Sequence, residues 1–306
     1  MNCPPVMICG FNRPDCLKQV LARVREAKPS QLFLVLDAPR EGRQDDVENN
    51  SACKKVFEDI DWPCVIHRDY ADSNLGCRKR MASGITNVFK QVEECIILED
   101  DCVPHPDFFR FCGEMLAIYR KDMRVGMIAG SQEHPYLRKR RESYYFDRFP
   151  VICGWATWQR AWERYGKVTE YWNGISSGEF LESIFRDKHQ IKCIAGWFND
   201  TCLGKNNSWA TMWWLTNIVE NFLTIHPAKN LITNIGYAGA HNTTKTAGVH
   251  DVPSDGLEFP LVHPMAMFPD PIDEAIMRSR YAQASLLKRG VNKLLRLTRI
   301  SLKGIS

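Results

Sequence analysis

Short apolar runs and helix-period stretches alternate through the first hundred residues, and no other feature of the chain restricts its fold as much. VMICGF at 6–11 reads as a strand, and Pro14 and Asp15 then open a helix with Leu17, Val20, Leu21 and Val24 on one face. QLFLVLD at 31–37 is a second strand, followed by a polar loop and a helix around 44–59. CVIHRD at 64–69 is a third, and NLGCRKRMASGITNVFKQV supplies the helix leading into a fourth, ECIIL. Four strands interleaved with three helices indicate an α/β chain built on a parallel sheet with right-handed crossovers. In such sheets ligands bind outside the carboxyl ends of the strands. Polar residues gather there: Asn12, Arg13 and Pro14 after strand one, Asp37 at the end of strand two, residues 69–80 after strand three, and Glu99, Asp100 and Asp101 at the end of strand four. Any one of these is what a solvated loop looks like; together they line one rim.

The fourth strand carries the sharpest signal. Cys95, Ile96, Ile97 and Leu98 are apolar and partly β-branched, which suits a strand covered on both faces, and Pro104 and Pro106 prevent its continuation. Three consecutive acids then repel one another unless water, basic side chains or a metal cation neutralises them. Such carboxylates serve as general acid and base, hold a divalent cation through oxygen, or form a solvated turn. A glycosidase pair needs a wider gap than immediate neighbours allow.

Composition narrows the field. With 306 residues and 44% hydrophobic content, the chain is long enough for one large or two modest domains with a substantial core. A net charge of +4 is too small to argue for nucleic acid. The twelve cysteines contain no C-x-x-C pair, so neither a zinc finger nor a disulfide scaffold fits their spacing. No phosphate loop, no G-x-G-x-x-G after strand one, no G-x-S-x-G elbow and no H-E-x-x-H occur. No basic, apolar leader opens the sequence and no run of eighteen apolar residues follows, so the expected location is the reducing cytoplasm.

From about residue 144 the texture changes. Eight of nine tryptophans fall between 155 and 214, and Trp155, Trp158 and Trp162 in GWATWQRAWERY have helical spacing. Core packing explains them, and so do the aromatic faces of a sugar-binding cleft. A fifth strand is expected at 125–129. The segment 277–306 has eight Lys or Arg and no acid, with Leu287, Val291, Leu294 and Leu302 on one helical face. It reads as a basic amphipathic helix for an anionic membrane surface, a docking helix, or a disordered tail.

IILEDDCVPHPDFFRF resembles the acidic-motif strand, DXD-like in character, of nucleotide-sugar glycosyltransferases with the GT-A fold, especially the N-acetylglucosaminyltransferase I-like group and the bacterial family 2-like enzymes. FNRP after strand one, the Asp of LVLDAP, and GWATWQRAW fit the same pattern, and the stretch from Asn207 to His241 looks like the later part of the bacterial members. The resemblance covers roughly residues 5–245. It implies an α/β GT-A sheet, Rossmann-like and mostly parallel with helices on both faces, divided into a nucleotide-sugar-binding half (1–103), an acceptor-binding half (104–265) and the basic tail (266–306).

The implied activity is metal-dependent transfer of a hexosyl or N-acetylhexosaminyl group, inverting, from a nucleoside-diphosphate sugar, UDP-sugar favoured. The implied acceptor is a glycan or lipid-linked hydroxyl in bacterial surface polysaccharide synthesis, with peripheral contact to the inner membrane face through 278–306. Carried over by position, Arg13, Asp37 and Arg78 contact the nucleotide, Asp100 meets the ribose or hydrated metal, and Asp101 ligates Mn2+ or Mg2+, with His241 as a further metal ligand. Several relatives place an Asp base after a Trp in W-D-x-x-W; here Trp209-Ala210-Thr211-Met212-Trp213 puts Ala210 in that place. Alanine takes no proton, so Asp200 and Glu133 are the alternative bases. A nucleotidyltransferase and a non-catalytic nucleotide-sugar binding protein of the same fold are the competing readings.

Overall fold

The computed structural model describes residues 3–132, 140–170, 172, 179–236 and 252–279. Glu133, His241 and the basic segment 280–306 lie outside the described residues. Two compact units are present, Met1–Gly166 with Asn207–Pro269, and Lys167–Asn206 with the described part of Asp270–Ser306.

The first unit is an α/β sheet of eight strands. Its elements begin β1 (Val6–Gly10), α1 (Pro14–Ala27), β2 (Gln31–Leu36), α2 (Gln44–Val56), β3 (Val65–Tyr70), α3 (Gly76–Val88) and β4 (Glu94–Glu99). There follow β5 (Cys102–Pro104), α4 (Pro106–Tyr119), β6 (Val125–Ala129), β7 (Tyr144–Asp147), β8 (Trp155–Trp158) and α5 (Gln159–Trp162). The second unit supplies α6 (Glu179–Glu182) and α7 (Lys188–Cys202), and the first closes with α8 (Trp209–Val219), β9 (Leu223–Pro227) and β10 (Ile232–Asn234).

Strand order is β3-β2-β1-β4-β8-β6-β9-β7, and β10 pairs antiparallel with β5 in a separate ribbon. The first four strands are parallel neighbours, as their alternation with helices requires. Period-two alternation assigns the two faces. Val6, Ile8, Leu32, Leu34, Ile96 and Leu98 join one core cluster with Leu17 and Val20 of α1, Cys53 of α2 and Phe108 of α4. On the other face Met7 and Val35 lie under Gly84 of α3.

Beyond β4 the sheet is mixed. GWATW is a strand rather than the start of a helix: β8 runs antiparallel to both β4 and β6, pairing Ile97 with Trp155 and Glu94 with Trp158. Helical spacing of the tryptophans misleads here because β8 is buried on both faces and has no polar side to show a period of two. Trp155 stacks on Trp209 and, tilted, on Trp213, while Trp162 meets Trp213 and stacks on Tyr165. The four tryptophan rings are buried, so they pack the core and offer no open platform to a sugar.

In the second unit, Asp187 caps α7 by accepting from Gln190 N at 2.7 Å, and Trp172 Nε1 donates to Asn199 Oδ1 at 2.7 Å. No helix among the described residues is long and apolar enough to cross a membrane.

Candidate active site at the switch point of the sheet

The chain leaves β1 toward β2 on one side and returns as β4 on the other, so the order of connection reverses between β1 and β4. At such a switch point the loops after the two strands diverge and leave a crevice. The residues after β1 and β4 are Arg13 and the acid triplet.

Arg13 is the residue before α1, and Pro14 starts the helix, whose missing N–H is no loss there. Its side chain makes no cap and reaches across the crevice instead. One guanidinium nitrogen pairs with Asp100 Oδ1, and Nη1 donates to Asp101 Oδ2 at 2.8 Å. Burial opposes the Arg13 charge, but the Asp100 and Asp101 carboxylates outweigh it and hold the group above its ordinary range. Asp100 also accepts from Phe11 N at 3.3 Å. Burial pushes the Asp100 carboxyl up to about 6 despite Arg13. Burial, reinforced by Asp101 and Asp100, pushes Glu99 up to about 8.

Helix α2 fastens the neighbouring loops with two inward polar residues one turn apart. Asp46, fully buried, accepts from Asn12 Nδ2 at 2.6 Å and takes Arg40 in a two-pronged pair at 2.5 and 2.9 Å. Asn50 donates to Phe11 O at 2.8 Å and Asp37 O at 2.7 Å. Arg40 is thereby aimed over the Phe11 ring, 5.6 Å from its centroid.

Asp37 has four donors of its own: Ala38 N, Leu75 N, Gly76 N and Asn74 Nδ2, at 2.9 to 3.3 Å. A carboxylate offers about four acceptor sites, so Asp37 is saturated and its visible role is to hold the 74–76 loop against β2. Gly76 sits at φ +74°, where a side chain would be strained.

These parts enclose a cavity of about 430 Å³ that Arg13, Asp37, Arg40, Asn74, Arg80 and Glu99 help to line. A second cavity of about 400 Å³, beside the last turn of α1, gathers Arg23 and Glu26, which pair with each other at 3.0 Å. The rim cavity collects more charge and lies at the switch point.

The two aspartates are of the right kind for Mn2+ or Mg2+, being hard oxygen donors. Asp101 is the more open, with its side chain 16% exposed against 3% for Asp100. Both are engaged by Arg13, whose guanidinium stands where a cation would stand. Asp101 Oδ1 meets Cys102 Sγ at 3.5 Å. Among the described residues no group of three or more His, Cys, Asp or Glu side chains is gathered to hold a metal ion. The donor set therefore fits a divalent ion in kind once Arg13 moves aside and a ligand contributes further oxygens.

Of the residues singled out from sequence, Arg13, Asp37, Asp100 and Asp101 come together. Arg78 on α3 is partly buried, and its charge acts on Tyr165, whose hydroxyl burial pushes up to about 12. Asp200 is exposed on α7 in the second unit. Ala210 lies in the first turn of α8, capped by Ser208, whose Oγ accepts from Thr211 N at 3.2 Å. Sequence reading missed Arg40 and Asp46, and it included Arg80 only as part of the polar stretch 69–80. For Arg80 a signal existed, because it falls on the buried stripe Arg80, Met81, Gly84, Ile85 and Val88 of α3.

No family model and no curated protein matches the chain. Among solved structures it is similar to a mannosyltransferase from Pyrobaculum calidifontis in complex with GDP-Man and Mn2+, with 15% identity over 53% of this chain and a TM-score of 0.37. The chain spans 46% of that protein. It is similar also to mouse xyloside xylosyltransferase 1 (9% identity, 70% of this chain, 81% of that one, TM-score 0.36). A 4-diphosphocytidyl-2C-methyl-D-erythritol synthase from Anaerococcus prevotii matches with 11% identity over 55% of this chain and 77% of that one, at a TM-score of 0.35. Likenesses this distant carry no conclusion about activity.

Proposed function

We propose that the chain transfers a sugar from a nucleoside-diphosphate donor to an acceptor hydroxyl. The observation that carries this reading is the meeting of Arg13 with Asp100 and Asp101 at the switch point, beside a cavity whose lining includes two further arginines. In the reaction the bond between the anomeric carbon and the diphosphate oxygen breaks, a bond to the acceptor oxygen forms, and negative charge grows on the departing diphosphate. Arg13 and Arg40 would bind that charge, since a guanidinium matches phosphate oxygens in pairs. Asp46 and Asn12 keep Arg40 and the loop after β1 oriented. Asp101, with Asp100, would hold Mn2+ or Mg2+, which when bound supplies further neutralisation of the leaving group.

The resemblance adds the finer proposals: a UDP-sugar, a hexosyl or N-acetylhexosaminyl group, an inverting course, and a glycan or lipid-linked acceptor in bacterial surface glycan synthesis. An inverting course needs a base on the acceptor side, and Asp200 and Glu133 are the carboxylates proposed for it. Ala210 favours one other reading, a nucleotide-sugar binding protein without turnover.

Incubation with a panel of nucleotide sugars and Mn2+, with and without chelator, tests the proposal. Slow, chelator-sensitive release of nucleoside diphosphate, lost in Asp101→Ala, is the expected result. Tight binding without release across a broad acceptor panel favours the binding module, and neither binding nor release overturns both.

A further inference from the structure

Arg80 is a buried cation that the transfer chemistry above does not use. Its side chain is 5% exposed, and its one carboxylate partner is Asp69, whose Oδ2 lies 2.6 Å from Nη2. Asp69 at the end of β3 is itself held by Asn87 Nδ2 at 3.0 Å. That contact engages Nη2, whereas Arg80 Nε is buried and has no acceptor. Native folds rarely leave such donors unmatched, and those that remain call for an explanation.

The place supplies one. Arg80 lines the rim cavity together with Cys9, Met81 and Glu99. Cys9 and Met81 are buried, at 7% and 2% exposure, whereas the Arg13 and Arg40 side chains are 33% and 44% exposed. The cavity thus has a deep, mainly apolar wall containing Arg80 and an open mouth at which Arg13 and Arg40 stand with their aspartate partners. Gly84 lets α3 lie close on β2 behind this wall, since a Cβ there would stand 2.7 Å from Val35 Cγ1.

The missing partner is therefore an acceptor and not a charge. All three arginines have aspartate partners, but Arg80 is closed off by burial, so a dianionic phosphate is better served at the mouth, where Arg13 and Arg40 keep faces open to water. A neutral carbonyl on a flat ring suits the deep wall: the ring meets Cys9 and Met81 while its oxygen takes the idle Nε–H.

We infer that Arg80 reads the nucleobase of the donor, its Nε–H donating to a ring carbonyl while Asp69, on Nη2, fixes the orientation of the guanidinium. This rests on the donor-site reading above. Asp69 is a positioning residue and makes no contact with the ligand.

The test separates base from phosphate. Wild type, Arg80→Lys, Asp69→Asn and the double variant Arg80→Gln/Asp69→Asn are titrated with the four ribonucleosides, their diphosphates and inorganic pyrophosphate, with folding checked by circular dichroism. The expected result is a loss of about tenfold or more in Arg80→Lys, equal for the preferred nucleoside and its diphosphate, with pyrophosphate unchanged. Asp69→Asn should show the same selective loss in smaller measure. In the wild type, the Arg80 Nε–H resonance should slow its exchange with water when the nucleoside binds, which needs no variant to fold. Wild-type affinity for the nucleoside in folded Arg80→Lys, a loss confined to diphosphate and pyrophosphate, or an Nε–H indifferent to nucleoside overturns the inference. A wild type that binds pyrophosphate but no nucleoside overturns it while sparing the phosphate site, and one that binds nothing removes the donor site itself.

Discussion

Arg13 Nη1 stands 2.8 Å from Asp101 Oδ2, so the more open of the two aspartates is already paired with a cation of the same chain. A divalent ion and the guanidinium compete for one set of oxygens. Two unit charges about 4 Å apart at an effective dielectric of about 20 exchange roughly 4 kcal/mol, and a tenfold change in affinity needs only about 1.4 kcal/mol. Arg13→Gln is expected to tighten Mn2+ binding in the absence of nucleotide by about tenfold or more, and to weaken nucleoside-diphosphate binding. Asp101→Ala is expected to abolish metal-dependent donor binding with the fold intact. Electron paramagnetic resonance of free Mn2+ and calorimetry measure both; unchanged Mn2+ affinity in the two variants would take the ion out of this site.

Gly236 covers the same carboxylate. A Cβ on it would lie 2.1 Å from Asp101 Oδ2 and 2.9 Å from Arg13 Nη1, closer than atoms approach. The segment is tied down by Ile235 N donating to Asp101 O at 2.9 Å and Gly236 N donating to Asn234 Oδ1 at 2.9 Å. Gly236→Ala must push either the carboxylate or the segment away. Because the strain falls on a short edge ribbon, stability should drop by about 1 kcal/mol or less, while affinity for nucleoside diphosphate with Mn2+ falls severalfold. Parallel thermal melts and calorimetry distinguish this from general unfolding, and an unaltered affinity would show that the pair is free to rearrange.

The acid triplet and Arg13 could be read from sequence because strand ends in a parallel sheet converge on one rim, whatever the side chains do. The strands β1 to β4 were legible for the same reason: their apolar runs are short and bounded by helix-period stretches. What sequence did not disclose is how the polar residues use their partners. Nothing in the sequence announces that four donors of residues 38 and 74–76 already fill the oxygens of Asp37. Arg40 in the polar loop and Asp46 at the start of the following helix look like surface charges, yet one is fully buried and aims the other. Trp155 and Trp158 follow helical spacing and form a strand, because antiparallel pairing with β4 and β6 outweighs local pattern.

Two glycines inside helices should respond oppositely to one substitution. Replacing Gly by Ala in a helix interior ordinarily gains about 0.5–1 kcal/mol. Gly196 in α7 has nothing within 4 Å of an added Cβ, so Gly196→Ala should stabilise by about that amount. At Gly84 the new methyl would meet Val35 Cγ1 at 2.7 Å and Met7 Cε at 3.1 Å. Overpacking of this kind costs about 1–3 kcal/mol, which exceeds the helix gain. Gly84→Ala should therefore lower the urea midpoint while Gly196→Ala raises it; a rise in both would mean that α3 stands off the sheet.

Asp46 ties stability to pH. The hydrogen bonds from Arg40, ahead of an opposing burial effect and a further bond from Asn12, lower its carboxyl to about 2. In the unfolded chain an aspartate titrates near about 3.9. The folded value is the lower, so the unfolded state binds the proton more readily, and the contribution of Asp46 is complete above about pH 4 and disappears as pH falls toward 2. Asp46→Asn keeps the shape but forfeits the ionic pairing with Arg40. The gap in unfolding free energy between wild type and this variant should be widest near neutrality and shrink steadily between about pH 4 and pH 2.5. The same substitution releases Asn12 and Arg40, so nucleoside-diphosphate affinity should fall at pH 7 where the fold is still complete. A stability gap that stays constant down to pH 2.5 would mean that Asp46 holds Arg40 by shape alone, and the rim would then owe its order to packing and not to charge.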